Sequence, residues 1–471
     1  MRETTRAHDA LARLERAIDG TVARPGTSAY DGARRSAWAQ FHDIRPRAIV
    51  RCATADDVAR TVRVARQVGV HVTARSGGHC FAGRSSTEEI VVDVGALRSV
   101  EVADGIAAVG GGALLGDVYE RLEADGLTVA GGACPTVGVA GLTLGGGLGV
   151  LGRTYGLTSD QLVEAEVVLA DGRVVVCDEH RESDLFWALR GAGGGQFGIV
   201  TRFAFRTVPA GELTCFTLAW PWSRAVEAIE AWQTWAPDAP DEVAASLLAN
   251  VFADFRAPVV SVFGAMLAGE GETRAVLDEL VDRIGSEPVE TTLVQLQHLA
   301  AKRYLAEHAP GADGEAASPP VMHAKSEFFR RQLPRDAIEA LVEHLVRDRA
   351  PGQARELDFT PWGGAYNRTA VGATAFAHRR EHFVLKHAVV LDAASSPRER
   401  VAARDWLAVS WSLVHPHGVG GVFPNFPDPD LPQPLRAYHG ENLDRLKEVK
   451  ARYDPDDVFR FPQSIPPAGD S

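Results

Sequence analysis

Hydrophobic and polar positions alternate in two distinct rhythms along the chain. From Arg47, the short apolar runs RAIVRC and HVTARS read as strands on either side of TADDVARTVRVARQVG. The apolar residues of that middle stretch recur at helical spacing behind Thr54, a suitable N-cap. This βαβ-like opening leads into SGGHCFAG, the strand-like runs IVVDVG and VEVADGIAAVGGG, the helical pattern LGDVYERLEADG, and a long glycine-rich passage from Gly131 to Gly156. EAEVVLADGRVVVCD then predicts a hairpin turning at Asp171-Gly172, SDLFWALRG a helix and IVTRFAFRTV another strand. Past Pro209 glycine thins out. Amphipathic patterns (AVEAIEAWQTWA, TRAVLDELVDRIG, RDAIEALVEHLVRD) alternate with β-rich runs (PVVSVFGAML, FVLKHAVVL), which predicts an α+β unit of its own. The tail, NLDRLKEVKARYDPDDVFRFPQSIPP, is a helix followed by an extended, proline-punctuated end. The division is therefore residues 1–208, 209–418 and 419–471, with the last segment free to return to the first. Residues 1–20 predict a helix ending at Gly20, and the stretch Gly311–Pro320 and the last few residues read as loose, low-complexity sequence.

Composition narrows the chemistry. With 62 acidic and 49 basic side chains in 471 residues the formal charge is −13, which argues against nucleic-acid binding as the main function and favours a small-molecule partner. The N-terminus lacks the apolar core of a secretory signal, and no apolar run is long enough to span a bilayer. Five cysteines at irregular spacing form neither a disulfide framework nor a zinc motif, so a cytoplasmic protein is expected, with no membrane association and no metal site. Nothing in the sequence addresses oligomeric state.

Glycine is the outlier at 46 residues, and it is clustered. Two G-x-G-x-x-G matches occur, Gly193/Gly195/Gly198 and Gly147/Gly149/Gly152. A dinucleotide loop must follow a strand and open a helix: the first match follows a helix and opens a strand, and the second is read as opening no helix. P-loop, G-x-S-x-G and H-E-x-x-H motifs are absent. In ARSGGH, however, Ser76, Gly77 and Gly78 follow a strand and can offer successive backbone N–H groups to an anion, with Arg75 supplying charge. The same residues could form an ordinary tight turn, His79 could be a structural histidine, and Cys134 a small buried apolar residue.

Taken together, RSGGHCFAG, GGACPTVGVAGLTLGGGLGVLGRTYGLTSDQL, DLFWALRGAGGGQFGIVT and YDPDDVFRFPQSIPP, in that order, resemble the berberine-bridge-enzyme-like branch of the vanillyl-alcohol-oxidase/p-cresol-methylhydroxylase flavoproteins. The resemblance implies an α+β, two-domain FAD-binding fold of the p-cresol-methylhydroxylase type, its FAD domain built from both chain ends and an antiparallel-sheet substrate domain lying over the flavin. It further implies a pyrophosphate cradle at Arg75, Ser76, Gly77 and Gly78. Bicovalent FAD is expected, bonded through its 8α position to His79 and through C6 to Cys134. Gly138, Gly141, Gly145 and Gly146 would lie against the cofactor, Ile199 would touch adenine through its backbone, and Asn425 would sit beside the flavin. An imidazole nitrogen and a thiolate are the nucleophiles such attachment needs.

The sequence departs from that family where the catalytic base is expected. The family's Tyr-x-Asn-Tyr motif reads Phe423-Pro424-Asn425-Phe426 here, and phenylalanine moves no proton. The glutamate that follows a Gly-Gly pair in the plant alkaloid branch is replaced by Arg368. Placed two apart on a strand, Tyr366 and Arg368 would share a face, and the guanidinium would lower the tyrosine pKa, making Tyr366 a substitute base. Tyr155 is a further candidate. His378 and His382 have helix-like spacing, but TAFAHRREHFVLKH reads as strand. The leading expectation is an FAD-linked oxidase of a bulky, secondary-metabolite-like substrate, carrying out alcohol or hemiacetal oxidation, desaturation or oxidative cyclisation with O2 as acceptor. The rivals are a non-redox lyase, isomerase or cyclase on the same scaffold and a flavin dehydrogenase that uses another acceptor.

Overall fold

The computed structural model describes residues 2–308 and 319–469, so most of the low-complexity stretch at 311–320 and the last two residues lie outside it. The first apolar rhythm folds as two small sheets. One has the order β1-β2-β4-β3, from β1 (Thr21–Ala23), β2 (Ala48–Arg51), β3 (Val72–Arg75) and β4 (Ile90–Asp93), with β4 parallel to both β2 and β3. The helix Ala55–Val68 forms the predicted crossover. Its cap is Thr54, whose hydroxyl accepts from Asp57 N, and it ends at Gly69 in the left-handed region (φ 71°). The N-terminal helix stops at Glu15, short of Gly20; there the chain turns, and the Gly20 N–H donates to the Asp57 carboxylate.

The second sheet is antiparallel, with the order β5-β6-β10-β8-β9. It comprises β5 (Val100–Ala103), β6 (Ile106–Gly110), β8 (Leu162–Val168), β9 (Val174–Cys177) and β10 (Ile199–Arg206), while the short β7 (Leu127–Thr128) pairs with β11 (Val208–Pro209). The predicted hairpin turns at Gly172 (φ 80°). Its core takes in Phe203, Phe205 and Trp187 together with Leu446, Val449, Tyr453 and Ile465 from the tail. The tail is stapled there by Lys450. Its buried ammonium donates to Gln196 O, Phe459 O and the Asp454 carboxylate, and Asp454 in turn caps the backbone of Val458 and Phe459.

The second rhythm makes a seven-stranded antiparallel sheet with the order β15-β12-β14-β13-β17-β18-β16. Its strands are β12 (Leu213–Pro221), β13 (Val243–Val251), β14 (Val259–Met266), β15 (Glu290–Leu296), β16 (Val321–Phe329), β17 (Gln353–Pro361) and β18 (Phe383–Leu391). The helices Ala225–Trp235, Glu270–Ile284, Arg335–Val346 and Pro397–Val414 cover one face, burying Trp232, Leu280, Leu341 and Leu407 against Leu357, Phe359, Phe383 and Leu385. Strand alternation sends Ala354, Glu356, Asp358 and Thr360 to the other face. That face turns toward the glycine loops, where Met322, Ala324 and Ala388 pack with Trp38 and Phe81. No helix among the described residues is long and apolar enough to cross a membrane.

Two local expectations fail. The segment 374–382 is irregular, and strand begins only at Phe383. The glycine passage contains an unpredicted helix, Val139–Leu144, and Gly152 opens a single turn to Tyr155. Glycine-rich sequence carries little helical signal, so both elements depend on tertiary contact.

Candidate cofactor and substrate cleft

A cleft of about 1180 Å3 separates the two halves of the molecule. Arg75, Ser76, Gly77, Gly78, His79, Cys134 and Thr136 line one side, and Ala354 and Val390 of the seven-stranded sheet line the other. Its floor is a bend after β3. Gly78 takes φ 71°, and the backbone N–H groups of Gly77, Gly78 and His79 meet no acceptor among the described residues. Ser76 Oγ donates to Gly111 O, which pins the bend to the second sheet. A Cβ on Gly77 would stand 2.3 Å from Gly138 N, so the bend and the start of the Val139–Leu144 helix touch backbone to backbone.

Arg75 departs from its expected role. Its guanidinium is buried and donates to Ala33 O, Arg34 O, Ser85 O and Ser86 Oγ. It lines the cleft with its guanidinium held by protein acceptors, so the donors left open there are the backbone N–H groups.

His79 and Cys134, 55 positions apart in sequence, meet at one hydroxyl. Thr136 Oγ1 lies 3.0 Å from His79 Nε2 and 3.4 Å from Cys134 Sγ, and the thiol is exposed to the cleft. Burial pushes the His79 pKa down, against a hydrogen bond to the Thr136 backbone that raises it, which favours the neutral imidazole with its nucleophilic lone pair. Trp38 Nε1 donates to His79 O and fixes the loop. Thr136 and Trp38 escaped the sequence reading, although the spacing C-x-T was a usable clue.

Asn425 ties the glycine passage together. Its Oδ1 accepts from Gly147 N at 3.1 Å and its Nδ2 donates to Gly141 O at 2.9 Å. A Cβ on Gly145 would strike the Asn425 amide at 2.2 Å, while Gly146 (φ 109°) lets the chain pass the Phe376 ring. Ile199 opens β10 opposite Val168, its side chain buried between the two small sheets.

The paired Tyr366–Arg368 base does not form. Both residues sit in one helical turn, Ala365–Arg368, where positions two apart point in different directions. Tyr366 turns inward, its ring stacked on Trp362 at 4.4 Å and its hydroxyl donating to Gly149 O at 3.2 Å. Burial pushes its pKa up to about 12, the reverse of the expected lowering. Arg368 turns outward into an ion pair with Asp241. Tyr155 packs beside Leu151, Leu248 and Phe263, outside the residues that line the cleft. His378 is buried against the Phe328 ring at 4.5 Å, in a loop rather than a strand. Phe423 and Phe426 join an aromatic cluster with Trp362 and Phe376, and Phe426 stacks on Phe81 at 5.8 Å. A second cavity of about 570 Å3 lies behind this wall, among Arg330, His378, Arg436 and Glu441; it meets none of the glycine loops that border the main cleft.

The open N–H groups, the paired nucleophiles and the side-chain-free backbone contacts suit a dinucleotide with a reactive ring. Comparison with known proteins agrees. Residues 46–178 match the family model for an FAD binding domain, and residues 422–466 the model described as berberine and berberine like. The chain is 32% identical to the uncharacterized FAD-linked oxidoreductase YgaK of Bacillus subtilis, over 90% of this chain and 91% of that protein. It superposes on the structure of wild-type BBE-like 1 of Physcomitrella patens with a TM-score of 0.85 at 28% identity, covering 97% and 99% of the two chains. It also superposes on glucooligosaccharide oxidase from Acremonium strictum, described with a 6-S-cysteinyl, 8α-N1-histidyl FAD, with a TM-score of 0.86 at 25% identity over 97% and 99% of the two chains.

Proposed function

Because this chain belongs to the berberine-bridge-enzyme-like FAD-linked oxidoreductases, we propose that it is a bicovalent FAD oxidase that takes two electrons from a bulky, hydroxyl-bearing small molecule and passes them to O2. The observation that carries this reading is the convergence of His79 Nε2 and Cys134 Sγ on Thr136 Oγ1 at the cleft wall. When bound, the flavin supplies the two-electron acceptor. His79, whose pKa burial lowers, and the exposed thiol of Cys134 are the two side chains that would hold the ring covalently. The N–H groups of Gly77, Gly78 and His79 hold the pyrophosphate, and Asn425 keeps the backbone from Gly141 to Gly147 in place beside the ring. Two tethers leave the sheet side of the cleft free for a large substrate. The five unpaired cysteines support a cytoplasmic setting.

Phe423 and Phe426 favour a second reading, in which the same scaffold performs a net non-redox cyclisation or elimination. Three measurements separate these possibilities. Acid-precipitated protein is expected to stay yellow, and a colourless pellet removes covalent attachment. Photoreduced protein is expected to recover its flavin absorbance rapidly in air, and slow recovery points to a dehydrogenase. Anaerobic conversion of a substrate without bleaching the flavin would establish the non-redox reading instead.

A further inference from the structure

The cleft needs a proton acceptor, and the residues that serve elsewhere in the family are missing. Phe423 and Phe426 cannot titrate, Tyr366 is buried with its hydroxyl held at Gly149, and His79 and Cys134 would be taken up by cofactor attachment on the reading above. Of the carboxylates that line the cleft, Asp93 lies at the Arg75 end and accepts from Gly95 N, while Asp392 caps Ala394 N at the end of β18. Further along the same sheet face, beyond the residues that line the cleft, Glu356 and Asp358 on β17 are gathered by Lys386 on β18.

The Lys386 ammonium lies 3.0 Å from Glu356 Oε1 and 3.1 Å from Asp358 Oδ2, and 5.5 Å from the centroid of Phe426, the ring at the family's tyrosine position. The β17–β18 register sets Asp358 opposite Lys386 and Ala354 opposite Val390, and these last two border the cleft together with His79 and Cys134. The triad therefore lies on the same sheet face, between the attachment residues and the loop that carries Asn425. Burial alone would push Lys386 down, but Glu356 and Asp358 outweigh it and hold the ammonium well above its usual range, so it acts as a fixed cation and not a base. Asp358 has both oxygens engaged, by Lys386 and by the Thr360 hydroxyl at 3.1 Å. Glu356 has one oxygen on Lys386, and its Oε2 takes no hydrogen bond among the described residues.

We propose that Glu356, held by Lys386 and backed by Asp358, accepts the substrate hydroxyl proton in this enzyme and selects an uncharged alcohol at the reacting carbon. The proposal rests on the oxidase reading above. In the step it describes, the O–H bond breaks and its proton passes to Glu356 Oε2. The carbinol C–H bond would break with its electron pair going to the two-electron acceptor that bound FAD would supply, C–O would become C=O, and the proton would then return to solvent. Two carboxylates against one ammonium leave the triad with a net charge of about −1, which repels a carboxylate or phosphate at the reacting end of the substrate.

Two measurements on the flavinylated protein test this. Sulfite is an anion that binds flavins, with bleaching as the readout. Glu356→Gln is expected to tighten sulfite binding about tenfold and Lys386→Met to weaken it by a similar factor; unchanged affinity in both variants overturns the placement of the triad. Anaerobic flavin reduction is then followed with cello- and xylo-oligosaccharides and neutral aromatic alcohols. Glu356→Gln should slow it by about 10²–10⁴-fold and abolish the acid limb of its pH profile, with Glu356→Asp restoring part of both. Reduction at the wild-type rate with the wild-type pH profile in Glu356→Gln overturns the assignment. A wild-type flavin that none of these alcohols reduces counts against the oxidase reading, and the sulfite result still decides whether the triad faces the flavin.

Discussion

The two walls of the cleft are built in opposite ways. The cofactor wall is mostly backbone: open N–H groups at Gly77–His79, glycines packed without Cβ atoms, and two nucleophiles on short loops. The sheet wall is side chain on a regular scaffold, its chemistry concentrated where β17 and β18 bring Glu356, Asp358 and Lys386 together. A backbone site depends on small residues at closely spaced positions and therefore leaves a local motif. A site of side chains on neighbouring strands depends on register between segments about 30 residues apart, and leaves only a few charges inside otherwise alternating strands.

The contrast can be broken at several points. The largest effect is expected from changing both His79 and Cys134 to Ala, which should release all flavin on acid precipitation, while either single variant keeps one bond; fluorescence of the supernatant reports it. Next, Gly149→Ala would set a Cβ 2.0 Å from Gly131 O, against the loop that leads to Cys134, and should cost about 3 kcal/mol in denaturant unfolding together with most flavin loading. An equivalent Ala at exposed Gly271, where a Cβ meets nothing within 4 Å, should change stability little.

A smaller effect concerns pH. Lys302 is buried, donates to Gly131 O at 2.6 Å, and its pKa is pushed down to about 7 by burial. Between about pH 7 and the ordinary lysine value near 10.5 the unfolded chain binds the extra proton, so this residue makes stability rise with pH across that window. Lys302→Met should flatten the rise, as read from unfolding free energies at pH 7 and 9. The smallest effects belong to the failed base. Tyr366→Phe should cost about 1 kcal/mol through its lost hydrogen bond, with flavin reduction within about twofold of wild type. Arg368→Ala should cost well under about 1 kcal/mol, since its ion pair with Asp241 is largely exposed. A large loss of reduction rate in Tyr366→Phe would move proton transfer back to the aromatic wall.

Much of the fold was legible because amphipathic periodicity and caps are local. Thr54, the turn at Gly172 and the helices of the middle segment stand where their patterns predict. The Val139–Leu144 helix was hidden because glycine obscures helical signal, and Arg75 was misread because a charge in a motif says nothing of which carbonyls surround it. Tyr366 failed for a related reason: the inference assumed a strand, and a single helical turn reverses which neighbours share a face.

The sequence alone determined the cofactor class, through a family resemblance carried by closely spaced glycine motifs with His79 and Cys134 among them. Only the tertiary structure decided that His79 and Cys134 share one hydroxyl, that Tyr366 is held in the core, and that β17 and β18 set two carboxylates around one ammonium. Each of these depends on the distance and burial of groups far apart in the chain, and those are properties of packing that no local pattern encodes.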